Sequence, residues 1–212
     1  QILDTFKISD LKIKIALWKG FENSGWINRD YLASNNHVYM HVKELSVSLF
    51  QLGFQEYALN GLKELSKIKT ATGYDPEVYA WYGSSLTKRA LFTQNNIQKI
   101  DFVKEGIKYL DQAVFEFPDY VVVRYIRANT YNSLPGIFNK NKMLKDDITF
   151  LIDAYKNQTL LKVRKKFNES TDVKVDINQL RIILGGAKNV FTDDSEFLGI
   201  INDIYTKIEG EK

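Results

Sequence analysis

The stretch GIKYLDQAVFEFPDYVVVRYIRANTY, from Gly106 to Tyr131, decides the fold predicted for this chain. Its first half carries Gly106, Leu110, Ala113 and Phe117 at steps of four, three and four residues. Apolar residues at these steps form one stripe along an α-helix, which buries that stripe against a neighbouring element. The first half is therefore predicted to be a helix packed closely on another helix.

Pro118 ends this helix and prepares the next one. A proline disfavours helical geometry in the residue before it, and Asp119 is a good N-cap residue. We therefore expect the chain to turn here and to begin a second helix, whose buried positions are Val123, Ile126, Ala128 and Tyr131. The stretch as a whole predicts a pair of helices joined by a short turn.

The composition favours a globular, helical protein. Of the 212 residues, 44% are hydrophobic and 26% are charged, which is ordinary for a globular chain. Three prolines and twelve glycines suit long helices better than a sheet sandwich, which needs turn residues every ~8–12 positions. The absence of cysteine excludes disulfides, thiol catalysis and thiolate metal sites. We therefore expect an all-α fold.

The charge pattern and the first residue bear on partners and location. The 29 basic and 26 acidic residues are interspersed, so the net charge of +3 creates no global field that would favour nucleic acid. No apolar run reaches the ~18–20 residues of a membrane-spanning helix, and no integral membrane segment is expected. Because the chain opens on Gln1, it resembles an exported protein after removal of a signal peptide. A periplasmic or secreted location is favoured over a cytoplasmic one.

The helix-pair pattern recurs towards the N-terminus. In LGFQEYALNGLKEL, Gly53 is followed along one helix by the stripe Ala58, Leu62 and Leu65. Asp75 and Pro76 then form a strong helix start, with Gly83 in that helix and Gly106 in the next. This pattern resembles the tetratricopeptide repeat (TPR) family, in which a small residue lets paired helices approach closely.

The resemblance covers a little over half of the chain. It implies an α-α superhelix, and three degenerate helix pairs can be drawn within residues 39–157, at about 39–72, 75–118 and 119–157. Leu134, Pro135 and Phe138, which follow the repeat, also resemble a subgroup of bacterial TPR-like proteins that has a Leu-Pro-x-x-Phe element at this point. To our knowledge no activity is assigned to that subgroup.

The segments outside the pairs are expected to close the ends of the superhelix. A solenoid needs terminal units with a polar outer face, so we expect residues 1–38 to form an N-terminal capping helix with a connector. Residues 158–212 are expected to form a C-terminal cap of helices, one of them over residues 160–167. The complete prediction is a single continuous domain of about ten helices without a sheet.

Three residues are candidates for a metal site. His37 and His41 are the only histidines, and Glu44 follows three residues later, so a helix would place all three side chains on one face. Two histidines on a helix surface without a second cluster are more often solvated, and this interpretation is favoured. No cofactor is therefore predicted.

Clusters of charged residues have structural explanations as well. The pairs Asp146–Asp147 and Asp193–Asp194 lie where helices are expected to begin, and carboxylates stabilise helix N-termini. A basic run could meet phosphates, but without an aromatic ladder a solvated helix face explains it better; its residues are Lys162, Arg164, Lys165 and Lys166.

The absence of catalytic motifs leads to a binding function. No Gly-rich phosphate loop, serine elbow, zinc-protease motif or dinucleotide fingerprint occurs, so a non-catalytic protein is predicted. The resemblance implies a scaffold that binds a protein or peptide along the concave face, where the first helices of successive pairs converge. The residues expected to line this ligand groove are Lys43, Val47, Phe50, Ala80, Ser84, Thr87, Tyr125, Asn129 and Asn132.

Two functions of other classes stay open. An all-α enzyme of the helical-toroid hydrolase type would need acid and base carboxylates in one cleft. An envelope-assembly accessory protein would use the segment from Ile8 to Phe21 as a docking element.

Overall fold

The computed structural model describes residues 18–23, 27–70, 73–158, 161–166, 169–173 and 175–210. Most of the predicted N-terminal capping helix, residues 1–17, lies outside these ranges. Residues 18–23 are helical, and Trp18 and Phe21 in this segment are buried. The end of the predicted helix is therefore part of a hydrophobic core.

The described chain is predominantly helical, as the all-α prediction requires. Two short 3-10 turns, Ala90–Phe92 and Gly136–Phe138, lie between the longer helices. Those helices are α1 (Arg29–Ser34), α2 (Asn36–Gln51), α3 (Gln55–Ser66), α4 (Pro76–Arg89), α5 (Asn96–Glu116), α6 (Val121–Tyr131), α7 (Asn141–Lys156), α8 (Ile177–Val190) and α9 (Ser195–Gly210).

Helix starts follow the capping rules at some positions and not at others. The Asp75 carboxylate accepts hydrogen bonds from the backbone N–H groups of Glu77 and Val78, with Pro76 in the first helical turn, so this predicted start is confirmed. The prediction that Asp119 caps α6 is wrong. Residues 118–119 form a turn, and Tyr120 occupies the N-cap without a side-chain hydrogen bond.

Two small antiparallel ladders correct the expectation of a fold without strands. β1 (Lys69–Thr70) pairs with β2 (Gly73–Tyr74), and β3 (Leu161–Lys166) pairs with β4 (Glu169–Val173). The helix predicted over residues 160–167 is therefore wrong for Leu161–Lys166, which form a strand. Leu161 and Val163 alternate with basic residues at a period of two, which suits a strand and was too short to be distinguished from a helical pattern. The basic run accordingly lies on a strand and not on a helix face.

Helices that are neighbours in sequence pack on one another. α4 makes its most extensive contact with α5, while α2 packs on α3, α6 on α7 and α8 on α9. α4 also contacts α3 and α6, and α8 returns to pack on α6. Such pairing is what a helix-pair repeat requires, and the superhelical, TPR-like arrangement itself stays a prediction.

Two hydrophobic cores hold these helices together. The N-terminal core includes Trp18, Tyr39 and Leu62, and the C-terminal core includes Leu110 and Ile148. α4 contributes to both: Val78, Tyr82 and Leu86 belong to the N-terminal core, and Tyr79 and Ala80 to the C-terminal core.

Within the described ranges, none of the helices has both the length and the apolarity that a bilayer-spanning helix needs.

Candidate functional site

An open cavity of about 600 Å³ lies between α4, the N-terminal half of α5 and the C-terminal end of α6. We call it the central groove. Four of the residues predicted to line a ligand groove lie along it: Phe50 from α2, Ser84 and Thr87 from α4, and Asn129 from α6. These are the first helices of the three predicted pairs, so the cavity runs across the face where a repeat scaffold would hold a ligand.

The Leu-Pro-x-x-Phe element forms one end of the central groove. Leu134, Pro135 and Phe138 all line the cavity, together with Ile137 between them. The 3-10 turn at Gly136–Phe138 ends at Asn139, which has a left-handed backbone conformation with φ of 51°. Asparagine tolerates this conformation better than most residues, and the turn therefore directs the chain sharply into α7.

Exposed aliphatic residues form the rim of the groove. The exposed fractions are 76% for Leu91, 42% for Ile100 and 82% for Ile137, and all three residues line the cavity. Exposed apolar side chains that cluster around a cavity are typical of an interaction site, whereas isolated ones are ordinary. Apolar spacing along the predicted helices did not identify these three residues.

The polar side chains at the base of the groove are already hydrogen bonded. The Thr87 hydroxyl donates to the backbone oxygen of Ser84, with 2.8 Å between the two oxygens. The Thr130 Oγ1 atom lies 2.7 Å from the backbone oxygen of Ile126 and 2.9 Å from Oγ of Ser84. These hydroxyls therefore satisfy one another within the protein, and their oxygens keep the capacity to accept a further hydrogen bond.

The charged side chains that line the groove are all cationic. They are Lys88 and Lys99, and the Nζ atom of Lys88 lies 4.7 Å from the centre of the Phe50 ring. Among the residues that the structure describes, no Asp or Glu lines the cavity. The groove therefore combines an aliphatic rim with positive charge.

Other predicted groove residues have structural roles instead. Lys43 is buried, and its ammonium group pairs with the carboxylate of Glu77 and, at 3.1 Å, with that of Asp75. Burial acts to lower the Lys43 pKa, but these two carboxylates outweigh it and hold the pKa above its ordinary value. Ala80 is fully buried, and Val47 packs against the N-terminal core. Helical spacing alone did not reveal that these positions face the interior.

Tyr125 and Asn132 face the C-terminal helices and not the groove. The Tyr125 hydroxyl donates to the backbone oxygen of Asp176 at 2.8 Å. The Asn132 amide donates to the backbone oxygen of Ile183 at 3.0 Å. Of the predicted groove residues Tyr125, Asn129 and Asn132, only Asn129 lines the central groove. The prediction is wrong for the other two, because α8 and its N-cap cover them.

The candidate metal ligands do not converge on one point. Nε2 of His37 lies 3.2 Å from Nε2 of His41, whereas the Glu44 carboxylate lies 4.0 Å from the other ring nitrogen, Nδ1. His37 and Glu44 thus approach opposite sides of the His41 ring, and a single ion could not contact all three. Within the described ranges, no cluster of three or more His, Asp or Glu side chains is arranged for a metal ion.

The aspartate pairs differ from each other. The Asp194 carboxylate accepts a hydrogen bond from the backbone N–H of Phe197 at the start of α9, as predicted. The Lys145 ammonium donates a hydrogen bond of 2.6 Å to the Asp194 carboxylate, and this bond is the main cause that holds the Asp194 pKa below its usual value. Asp147 was predicted to stabilise a helix start, but it lies in the middle of α7 and is fully buried.

A buried network of ion pairs surrounds Asp147. Its carboxylate accepts hydrogen bonds from Arg124 at 2.7 Å and from two nitrogens of Arg127 at 2.7 and 2.8 Å. Arg127 also donates to Asp111, which accepts further bonds from Tyr131 and Lys140. Both carboxylates are occupied by cations and a hydroxyl, and neither lines the central groove. The network ties α5, α6 and α7 together.

No protein family model matches this chain, and neither does any curated protein or solved structure with which it was compared. The likeness to TPR proteins consequently rests on the residues quoted above.

Proposed function

We propose that this protein is a non-catalytic scaffold that binds a protein or peptide in the central groove, on the concave face of a TPR-like superhelix. The observation that carries the proposal is the meeting of Phe50, Ser84, Thr87 and Asn129 along one open cavity. They belong to three helices that are far apart in sequence, and the first helices of successive repeats supply the binding face of this kind of scaffold.

The rim supports the same proposal. Leu91 and Ile137 expose most of their surface, and burial of such side chains by a partner is favourable by about 25 cal/mol per Å² of apolar area. Asn129 is exposed at the edge of the groove, where its amide can both donate and accept a hydrogen bond. An extended peptide offers both aliphatic side chains and backbone amides to such a surface.

The proposal is tested with a displayed library of random peptides. The library is selected on the wild-type protein and then depleted on the double variant Leu91→Ser with Ile137→Ser, which removes the two most exposed rim side chains without adding charge. Because both residues are exposed, we expect the variant to keep its stability within about 0.5 kcal/mol. Peptides that bind the wild type and not the variant define binding at the groove.

Phe115→Ser provides the matched control. Phe115 is 86% exposed on α5 but lies fifteen residues beyond Ile100, roughly 22 Å along the helix. Groove-dependent peptides should bind this variant like the wild type. Recovery only of peptides that bind the double variant equally well would refute the proposal, as would recovery of none.

A further inference from the structure

We infer that the occupant of the central groove is an acidic peptide segment, in which leucine, isoleucine or phenylalanine side chains are flanked by aspartate or glutamate. This inference rests on the proposed function and adds the chemical class of the partner. Two features of the groove carry it: the sign of its charges and its exposed aliphatic rim.

The charges select a partner of negative sign. Lys88 and Lys99 line the cavity, and no carboxylate of the described residues lines it with them. Within the described part of the chain, neither ammonium group forms an ion pair with a carboxylate. The groove thus presents positive charge that a partner can neutralise.

Lys99 has no role in stabilising its own helix. It lies in the fourth position of α5, next to a helix N-terminus, where the helix dipole disfavours a cation by roughly 0.3–1 kcal/mol. The first turn of α5 contains no acidic residue to offset this effect. Lys88 is different, because it lies in the last turn of α4 and suits the dipole there. The position of Lys99 is therefore the stronger indication of an acidic partner.

The rim of the groove selects apolar anchors. The hydroxyls of Ser84, Thr87 and Thr130 already bond one another or backbone oxygens, so the base does not depend on a polar ligand group for its hydrogen bonds. Aliphatic or aromatic side chains lose no hydrogen bonds on entry and bury Leu91, Ile100 and Ile137 as they bind. The combination specifies an amphipathic segment with acidic flanks.

The test begins with the groove-dependent peptides from the library selection. We expect their sequences to be enriched in Asp and Glu beside Leu, Ile or Phe, relative to the unselected library. The best peptide is then synthesised in three forms, with its carboxylates retained, replaced by Gln, or replaced by Lys. Fluorescence anisotropy should show binding about fivefold weaker for the Gln form and weaker again for the Lys form, because each exposed charge pair contributes modestly.

Variants of the two lysines identify the groups responsible. Lys99→Gln and Lys88→Gln should each weaken the acidic peptide by about two- to fivefold, reduce its salt dependence, and leave the Gln form unchanged. Lys104→Gln is the matched control, since Lys104 is exposed on α5 and does not line the cavity. It should change neither affinity.

The outcomes separate the two proposals. Groove-dependent peptides without acidic enrichment, or Gln and Lys forms that bind as tightly as the acidic one, overturn this inference and leave the scaffold function standing. An equal effect of Lys104→Gln also overturns it. A selection without any groove-dependent peptide refutes both.

Discussion

Gly83 of α4 and Gly106 of α5 contact each other through their backbones. A Cβ atom placed on Gly83 would lie 2.6 Å from the carbonyl oxygen of Gly106, and one placed on Gly106 would lie 2.5 Å from the carbonyl oxygen of Gly83. Both obstacles are backbone atoms, which cannot rotate away as the end of a side chain can. This close contact between α4 and α5 therefore requires glycine on both sides.

Gly83→Ala and Gly106→Ala should each lower the free energy of unfolding by about 1–3 kcal/mol, because the added methyl groups force α4 and α5 apart. The measurement is urea unfolding followed by circular dichroism. Gly199→Ala in α9 is the control: nothing lies within 4 Å of a Cβ at that position, so alanine should raise stability by up to about 1 kcal/mol. A gain in stability at all three positions would contradict the close contact.

Asp147→Ala should destabilise the protein by about 3–5 kcal/mol, because it leaves Arg124 and Arg127 without their shared carboxylate in a buried site. The neighbouring residue offers the comparison. Asp146 is exposed, and Asp146→Ala should change the unfolding free energy by no more than about 0.5 kcal/mol. Similar urea midpoints for the two variants would show that the network does not hold α6 and α7 together.

Tyr125→Phe should lower the unfolding free energy by about 1 kcal/mol, since it removes the hydrogen bond to Asp176 that joins α6 to the start of α8. The same variant should bind groove-dependent peptides normally. Asn129→Ala should do the reverse, with stability unchanged and peptide binding weakened. If Tyr125→Phe impaired binding without affecting stability, the assignment of Tyr125 to the interior would be wrong.

Alkaline pH should destabilise the fold through its buried tyrosines. Burial is the first cause that raises the pKa of Tyr82 to about 12. Burial and the hydrogen bond to Asp111 also raise the pKa of Tyr131 far above its ordinary value. Above a pH of about 10 the unfolded chain releases these protons and the folded chain keeps them, so stability is intact below that pH and falls as the pH rises.

Urea unfolding at several pH values between about 9 and 11 measures this slope. Removal of one such tyrosine in Tyr82→Phe should make the slope shallower by up to about 1.4 kcal/mol per pH unit above pH 10. Identical slopes in wild type and variant would mean that the Tyr82 hydroxyl ionises in the folded protein as it does in the unfolded one.

Local signals predicted the parts of the fold that depend on local physics. The stripe through Gly106, Leu110 and Ala113 gave α5, and the Asp75 cap gave the start of α4. The β3–β4 hairpin was missed because its strands are short and carry basic residues that suit a helix surface equally well. The spacing of apolar residues distinguishes a strand from a helix only when it extends over more residues than these strands contain.

Contacts between distant segments were beyond the sequence. Tyr125 and Asn132 each bond a residue fifty-one positions away, and helical spacing could not show that α8 returns to cover them. Phe50, Ser84, Thr87 and Asn129 were selected from the spacing within their own helices, and all four line the central groove. The rim residues Leu91 and Ile137 were missed because they lie on 3-10 turns, where apolar periodicity has no meaning.

The contribution of α4 to both cores has a consequence for how the protein opens. If either core came apart while the other persisted, one apolar side of α4 would be exposed to water. Each core therefore raises the free-energy barrier to opening of the other. The backbone amides of α4 should then exchange their hydrogens only in the rarest, global openings, while those of the outer helices exchange sooner. A partner seated across Phe50, Ser84 and Asn129 would contact helices of both halves at once and slow that exchange further.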